Sequence, residues 1–188
     1  MTKEDISRIQ NYYVQAAIRS KKAGFDGVEI HGGHLTLVSQ FLSNKFNRRN
    51  DEYGGNEEKR SKFLAEIIKK IREAIGENMI ISAKIDCEDE ESGFTEKGFL
   101  TAGKVAEEAG LDIIELTGVK PQKEGELFFY NASKKLAEIL KIPVVCIGGI
   151  KSYENADYVL KNSNIRYISI VRALLKEPDL IKKWKQNK

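Results

Sequence analysis

AGFDGVEIHG, residues Ala23–Gly32, and AGLDIIELTG, residues Ala109–Gly118, align without a gap. Each reads as a helix end, a glycine stop and a short apolar strand. A helix-to-strand unit that recurs in one chain points to a fold assembled from like modules, such as a barrel of βα units. The alignment puts His31 and Thr117 at equivalent points, the carboxyl ends of their strands. Ligands bind at that end in barrels and in open α/β sheets alike.

Working outward, Thr2 followed by Asp5 reads as an acidic capping box. Ile6, Ile9, Tyr13, Ala16 and Ser20 then recur at helical spacing, giving one face of a helix that ends at Gly24. Asn56 is suited to cap a second helix, whose core stripe is Phe63, Leu64, Ile67, Ile68, Ile71 and Ile75 and whose stop is Gly76. Further helices are expected from about Lys97 to Ala109, near Ser133–Leu140, after Ser152 and near Pro178. They alternate with the strand-like runs GVEI, MIISAKI, IIEL, VVCI and YISIV. Fivefold alternation predicts α/β architecture with a parallel sheet covered by helices. The strands show little alternation, which predicts burial on both faces. The acidic stretch CEDEESGFTEK, Cys87–Lys97, reads as a solvated loop.

The chain has 188 residues, with 31% charged and 41% hydrophobic, and is expected to form a single domain over 1–188. Its 31 basic and 28 acidic residues are interspersed and leave a net charge of +3, which does not argue for nucleic acid. No run approaches the roughly 18 apolar residues of a membrane span. The charged start is unlike a signal peptide, and Cys87 and Cys146 form no metal or CxxC pattern, so a reducing cytoplasm is the expected setting.

The only two histidines, His31 and His34, lie three residues apart beside Gly32 and Gly33. They serve either a structural role or a ligand, toward whose oxygen two imidazole N–H groups can converge. Metal binding is less favoured, since no third ligand is apparent nearby. VVCIGGI, Val144–Ile150, reads as a strand entering a glycine turn and then a helix capped by Ser152, an arrangement whose exposed N–H groups suit a phosphate. Arg172, at the end of the last strand run, either joins that site or makes a surface ion pair. Lys84 either points at a ligand or extends to solvent. Cys146 reads as packing, and Cys87 has no activating partner in the sequence.

Together AGFDGVEIHGGH, QFLS, NRRNDEYGGN, KRSKF, IPVVCIGGI and VRALLKEPDL resemble the Old Yellow Enzyme family of NADH:flavin oxidoreductases and FMN-dependent ene-reductases, over nearly the whole chain. The resemblance implies a TIM (β/α)8-type barrel, FMN at the carboxyl ends of its strands, NAD(P)H as reductant and an activated alkene as small-molecule substrate. It implies that His31 and His34 hydrogen-bond the substrate's activating oxygen. Gly148, Gly149 and Arg172 would hold the FMN phosphate, and Lys84 would take the place of an arginine beside the flavin ring. Arg49, Asp51, Tyr53 and Arg60 fall in a scaffold stretch.

Departures from the family pattern are as informative. Thr36 stands where a proton-donating tyrosine is common, and an aliphatic hydroxyl is a far weaker acid than a phenol. Val171 replaces a glycine and would crowd the phosphate. Set against the family barrel, the chain begins at the helix before the fourth strand and lacks the first three βα units. A partial barrel of about five parallel βα units is therefore expected, with weak or no FMN binding by the isolated chain. Its open edges and an apolar interior surface would call for a homo-oligomer or a missing amino-terminal half. The alternative is a degenerate, non-enzymatic barrel fragment or an assembly subunit.

Overall fold

The computed structural model describes residues 1–118 and 127–186. Five strands, β1 Gly27–Gly32, β2 Ile80–Asp86, β3 Ile113–Thr117, β4 Val144–Cys146 and β5 Tyr167–Ile168, form one parallel sheet in sequential order. The helices are α1 Lys3–Lys22, α2 Leu37–Leu42, α3 Glu57–Ile75, α4 Glu96–Glu108, α5 Tyr130–Ile139, α6 Tyr153–Lys161, α7 Arg172–Lys176 and α8 Leu180–Gln186. Neighbouring helices pack in order, α1 on α3, α3 on α4 and α4 on α5. That follows when every crossover has the same hand and all these helices cover one face of the sheet.

Local signals explain where the helices start. Thr2 and Asp5 exchange both bonds of a capping box, and the Asn56 side chain accepts from the Lys59 N–H at 2.9 Å. The stripe from Phe63 to Ile75 is buried as its periodicity predicts, with Phe63, Ile67 and Ile68 at zero exposure. On α1 the buried line differs from the expected one: Gln10 and Ala17 are buried with Ile6, whereas Ala16 is exposed. Gln10 goes inside because α3 satisfies its amide: Nε2 donates to Glu66 at 2.7 Å, and Oε1 accepts from Lys70 at 2.5 Å.

Burial on both faces holds for β3, where Ile114 to Thr117 are all buried, but not for β1 and β2. Ile81, Ala83 and Ile85 have zero exposure under the helices, while Ser82 and Lys84 are half-buried on the opposite face. That second face is also not the apolar surface expected. In register it carries Glu29 beside Ser82, and His31 beside Lys84 beside Glu115, along with Ile113 and Val145. Alternation was hard to see because the outward positions of β3 and β4 include Ile113 and Val145, which mask the polar ones.

The acidic stretch after β2 is also more ordered than expected. Glu88, Glu90 and Glu91 are exposed, but Cys87, Ser92 and Phe94 are buried. A 3₁₀ turn at Glu90–Ser92 lets the Ser92 and Gly93 carbonyls accept from the Ser43 hydroxyl at 2.6 Å and the Asn44 N–H at 3.0 Å. Gly93 is held at φ 74.

At the amino ends of the strands, Arg72 fastens three segments together. Its guanidinium donates to the carbonyls of Gly76 and Met79 at 2.9 Å, to that of Gly110 at 3.0 Å, and to the Asp112 carboxylate. Asp112 in turn accepts from the Ile81 N–H at 2.7 Å, joining the starts of β2 and β3. Among the described residues no helix is long and apolar enough to cross a membrane.

Candidate active site

The carboxyl ends of β1, β2 and β3 build one side of the candidate site. His31 lies in register with Lys84, Lys84 with Glu115, and Asp86 with Thr117. Lys84 Nζ meets Glu115 Oε1 at 2.5 Å, and the two side chains are 21% and 11% exposed. Lys84 is therefore held by a carboxylate of the neighbouring strand rather than extending freely to solvent.

After β1 the chain turns sharply. Gly33 permits this turn, since a Cβ there would lie 2.6 Å from Thr117 Cγ2. His34 and Leu35 follow with φ of 56° and 58°, a left-handed conformation that residues with a side chain adopt at a cost. The His34 N–H donates to Asp86 Oδ1 at 2.9 Å, and the Leu35 N–H donates to Ser39 Oγ at 3.1 Å. Ser39 donates its own proton to Asp86 Oδ2 at 2.5 Å. His34 Nε2 lies 3.1 Å from Thr117 Oγ1, and the two imidazole centroids are 5.5 Å apart with planes inclined by 58°. Both histidines are exposed, on the same rim of the sheet.

Thr36 is occupied. Its hydroxyl donates to the His31 carbonyl at 2.9 Å, tying the turn to the strand it leaves. Cys87 and Cys146 are buried, free thiols, and burial pushes them up to about 12 and about 11. They stay protonated at neutral pH and offer no nucleophile. Tyr53 is likewise pushed up to about 12, first by burial and then by Glu66, to which its hydroxyl donates at 2.8 Å. Arg49 grips Asp51 at 3.0 and 2.5 Å, and Arg60 donates to the Gly55 carbonyl at 2.8 Å. These residues tie the segment between α2 and α3 to α3 and to the start of the chain.

Past β4 and β5 the construction changes. Gly148 and Gly149 are consecutive residues at φ 82° and 77°. Successive N–H groups in a turn of this kind form a concavity that suits an anion. A Cβ on Gly148 would approach Phe129 Cδ2 to 2.9 Å, so glycine is needed there twice over. Arg172 is not at the end of a strand: β5 closes at Ile168, and Arg172 opens α7. It is exposed and makes no ion pair among the described residues, and Val171 before it is 64% exposed.

All seven residues singled out from the sequence thus lie at the carboxyl side of the sheet, His31, His34 and Lys84 in one group and Gly148, Gly149, Val171 and Arg172 in another. Three members of the first group were not picked out as site residues: Asp86, Glu115 and Ser39. Period-two counting from Lys84 and Thr117 finds the two acids. A cleft of about 760 Å³ lies elsewhere, toward the helix side between α4 and α5, lined by Glu88, Asp89, Glu96, Phe99, Phe128 and Lys135. None of the seven lines it. Among the described residues no group of three His, Cys, Asp or Glu side chains is arranged to hold a metal ion.

The model of the NADH:flavin oxidoreductase / NADH oxidase family matches residues 1–188. An NADH oxidase of Thermoanaerobacter brockii is 31% identical over 198 aligned residues, covering 100% of this chain and 30% of that protein. An NADPH dehydrogenase of Bacillus cytotoxicus is 36% identical over 182 residues, covering 95% of this chain and 52% of that one. Among solved structures, a 2-naphthoyl-CoA reductase superposes with a TM-score of 0.88 at 25% identity, over 100% of this chain and 30% of that one. Morphinone reductase in complex with tetrahydroNAD superposes with a TM-score of 0.82, also at 25% identity, over 100% of this chain and 50% of that one. The chain therefore spans about a third to a half of the length of these relatives, and its five-stranded sheet corresponds to part of their barrel. It belongs to the NADH:flavin oxidoreductase / NADH oxidase family.

Proposed function

We propose that this chain forms the carboxyl-terminal part of an FMN-dependent NAD(P)H:flavin oxidoreductase that reduces an activated alkene. One observation carries the reading: an imidazole pair and a turn of two left-handed glycines share the carboxyl edge of one sheet. They belong to β1 and β4, three strand spacings or roughly 14 Å apart. That span suits a flat ring system bearing a phosphorylated chain.

The residues fit the phosphate end of such a cofactor. The amides of Gly148 and Gly149 would donate to the phosphate, Arg172, without an ion pair among the described residues, would add its positive charge, and Val171 would narrow the approach. FMN, when bound, supplies the hydride relay between NAD(P)H and the β-carbon of the alkene. His31 and His34 donate to the substrate's activating oxygen and stabilise the charge that develops there. Lys84 would lie beside the ring, with its charge already offset by Glu115. Because Thr36 is no phenol and its hydroxyl is engaged by the His31 carbonyl, the proton for the second alkene carbon comes from water.

A second reading is favoured by the edges of the sheet. Among the described residues β1 and β5 each pair on one side only. Further βα units complete the barrel, whether continuous with this chain or carried by a partner, and the chain then acts as an assembly unit. The two free thiols fit a reducing, cytoplasmic setting.

Titration of the purified chain with FMN and with riboflavin, followed by flavin fluorescence, tests the phosphate assignment. FMN is expected to bind about 10- to 100-fold more tightly than riboflavin, the equivalent of one charge-assisted hydrogen bond or more. Arg172→Ala should remove most of that difference. Equal affinity for the two flavins overturns the phosphate assignment, whereas binding of neither is the outcome expected where the further βα units are required, and favours the second reading.

A further inference from the structure

We propose that Asp86 is the positioning residue of His34, clamping a strained turn so that one imidazole of the pair faces the site. The proposal rests on the reading of the histidines as an oxygen-binding pair.

His34 and Leu35 are consecutive left-handed residues and neither is glycine. Such a backbone persists only where its surroundings hold it. Gln40 Nε2 donates to the Leu35 carbonyl at 2.8 Å, and both left-handed amides are held, directly or through Ser39, by one carboxylate. Asp86 Oδ1 takes the His34 N–H, Asp86 Oδ2 takes the Ser39 hydroxyl, and that hydroxyl's oxygen takes the Leu35 N–H. Asp86 is 2% exposed and Ser39 is fully buried, so water does not compete for these donors. An ionised carboxylate only accepts, and here both of its oxygens are engaged.

The same step of the sheet also serves the ring. Asp86 pairs in register with Thr117, and the Thr117 hydroxyl meets His34 Nε2. Asp86 therefore fixes the backbone of His34 while its strand neighbour fixes the imidazole. His31 is held differently, by its place in β1 and by Thr36 at its carbonyl. The effect of Asp86 is thus specific to one member of the pair.

The test uses the full chain without ligand, so its outcome stands whether or not the histidines bind substrate. With two histidines in the chain, an imidazole nitrogen spectrum contains two ring systems, and single variants assign them. In Asp86→Ala, exchange of the His34 amide is expected to accelerate by about 5- to 150-fold relative to the core amide of Ile114, as befits a buried donor left unpaired. The His34 ring signals should move further than those of His31. Adding Leu35→Gly to that variant should return the His34 ring signals toward their original positions, because glycine takes the left-handed backbone without steric cost. A purely structural aspartate would disturb both rings and the core amides alike, and Leu35→Gly would rescue nothing; that pattern overturns the proposal, as do unchanged His34 signals. If Asp86→Ala does not fold, Ser39→Ala carries the test. The Leu35 amide should then exchange faster and the His34 ring signals move, and their constancy overturns the proposal.

Discussion

The two halves of the sheet build their parts of the site from different materials. β1, β2 and β3, of six, seven and five residues, present side chains, and nearly every polar one has a named partner: Lys84 with Glu115, Asp86 with Ser39, His34 with Thr117. β4 and β5, of three and two residues, present backbone amides at two glycines and one exposed arginine. A substrate oxygen needs donors aimed at one point, which takes interlocked side chains. A phosphate accepts from many directions, which a turn of N–H groups and a flexible cation can meet. The first half should therefore be sensitive in stability, and the second sensitive in binding alone.

That contrast is open to direct attack. Glu115→Ala removes the partner of a Lys84 that is largely out of water, and should cost about 2–3 kcal/mol in urea unfolding, below the full loss for a wholly buried pair because Lys84 retains some solvent contact. Glu115→Gln should cost less, since its amide oxygen still accepts. Gly33→Ala forces a methyl group into the Thr117 side chain, and about 1–3 kcal/mol of destabilisation is expected from overpacking at the turn. Arg172→Ala should change stability by less than about 0.5 kcal/mol, the usual range for an exposed side chain without partners. Should Arg172→Ala cost as much as Glu115→Ala, the division between the halves would be lost. A smaller gap that keeps the same order would sharpen it.

What the sequence discloses follows the same division. The α3 stripe and the cap at Asn56 were legible because they depend on residues three and four apart. The paired segments ending at Gly32 and Gly118 were legible as repeats, and they located Thr117 at the rim before its contact with His34 was known. Lys84 was visible, but its partnership with Glu115 required the register of β2 on β3, which no local pattern encodes. The six-residue α2 escaped notice because it is too short to show a period. YISIV looked like a full strand, yet only Tyr167 and Ile168 pair, because β4 offers just three residues to pair with. The left-handed Leu35 runs against the preference of its own side chain, and it is held by Ser39, itself anchored to a buried carboxylate of another strand, and by Gln40.

Arg72 gives this arrangement a practical consequence. One guanidinium locks the amino-terminal rim of β2 and β3, at the opposite end of the strands from the histidines and the glycine turn. Because that lock draws on no residue of the opposite rim, segments there can be exchanged or grafted without loosening it. Arg72 is thus the residue to leave untouched when the chain is used as a scaffold, and the turn following β4, built from backbone and carrying few side-chain ties, is the natural first place to insert a new specificity.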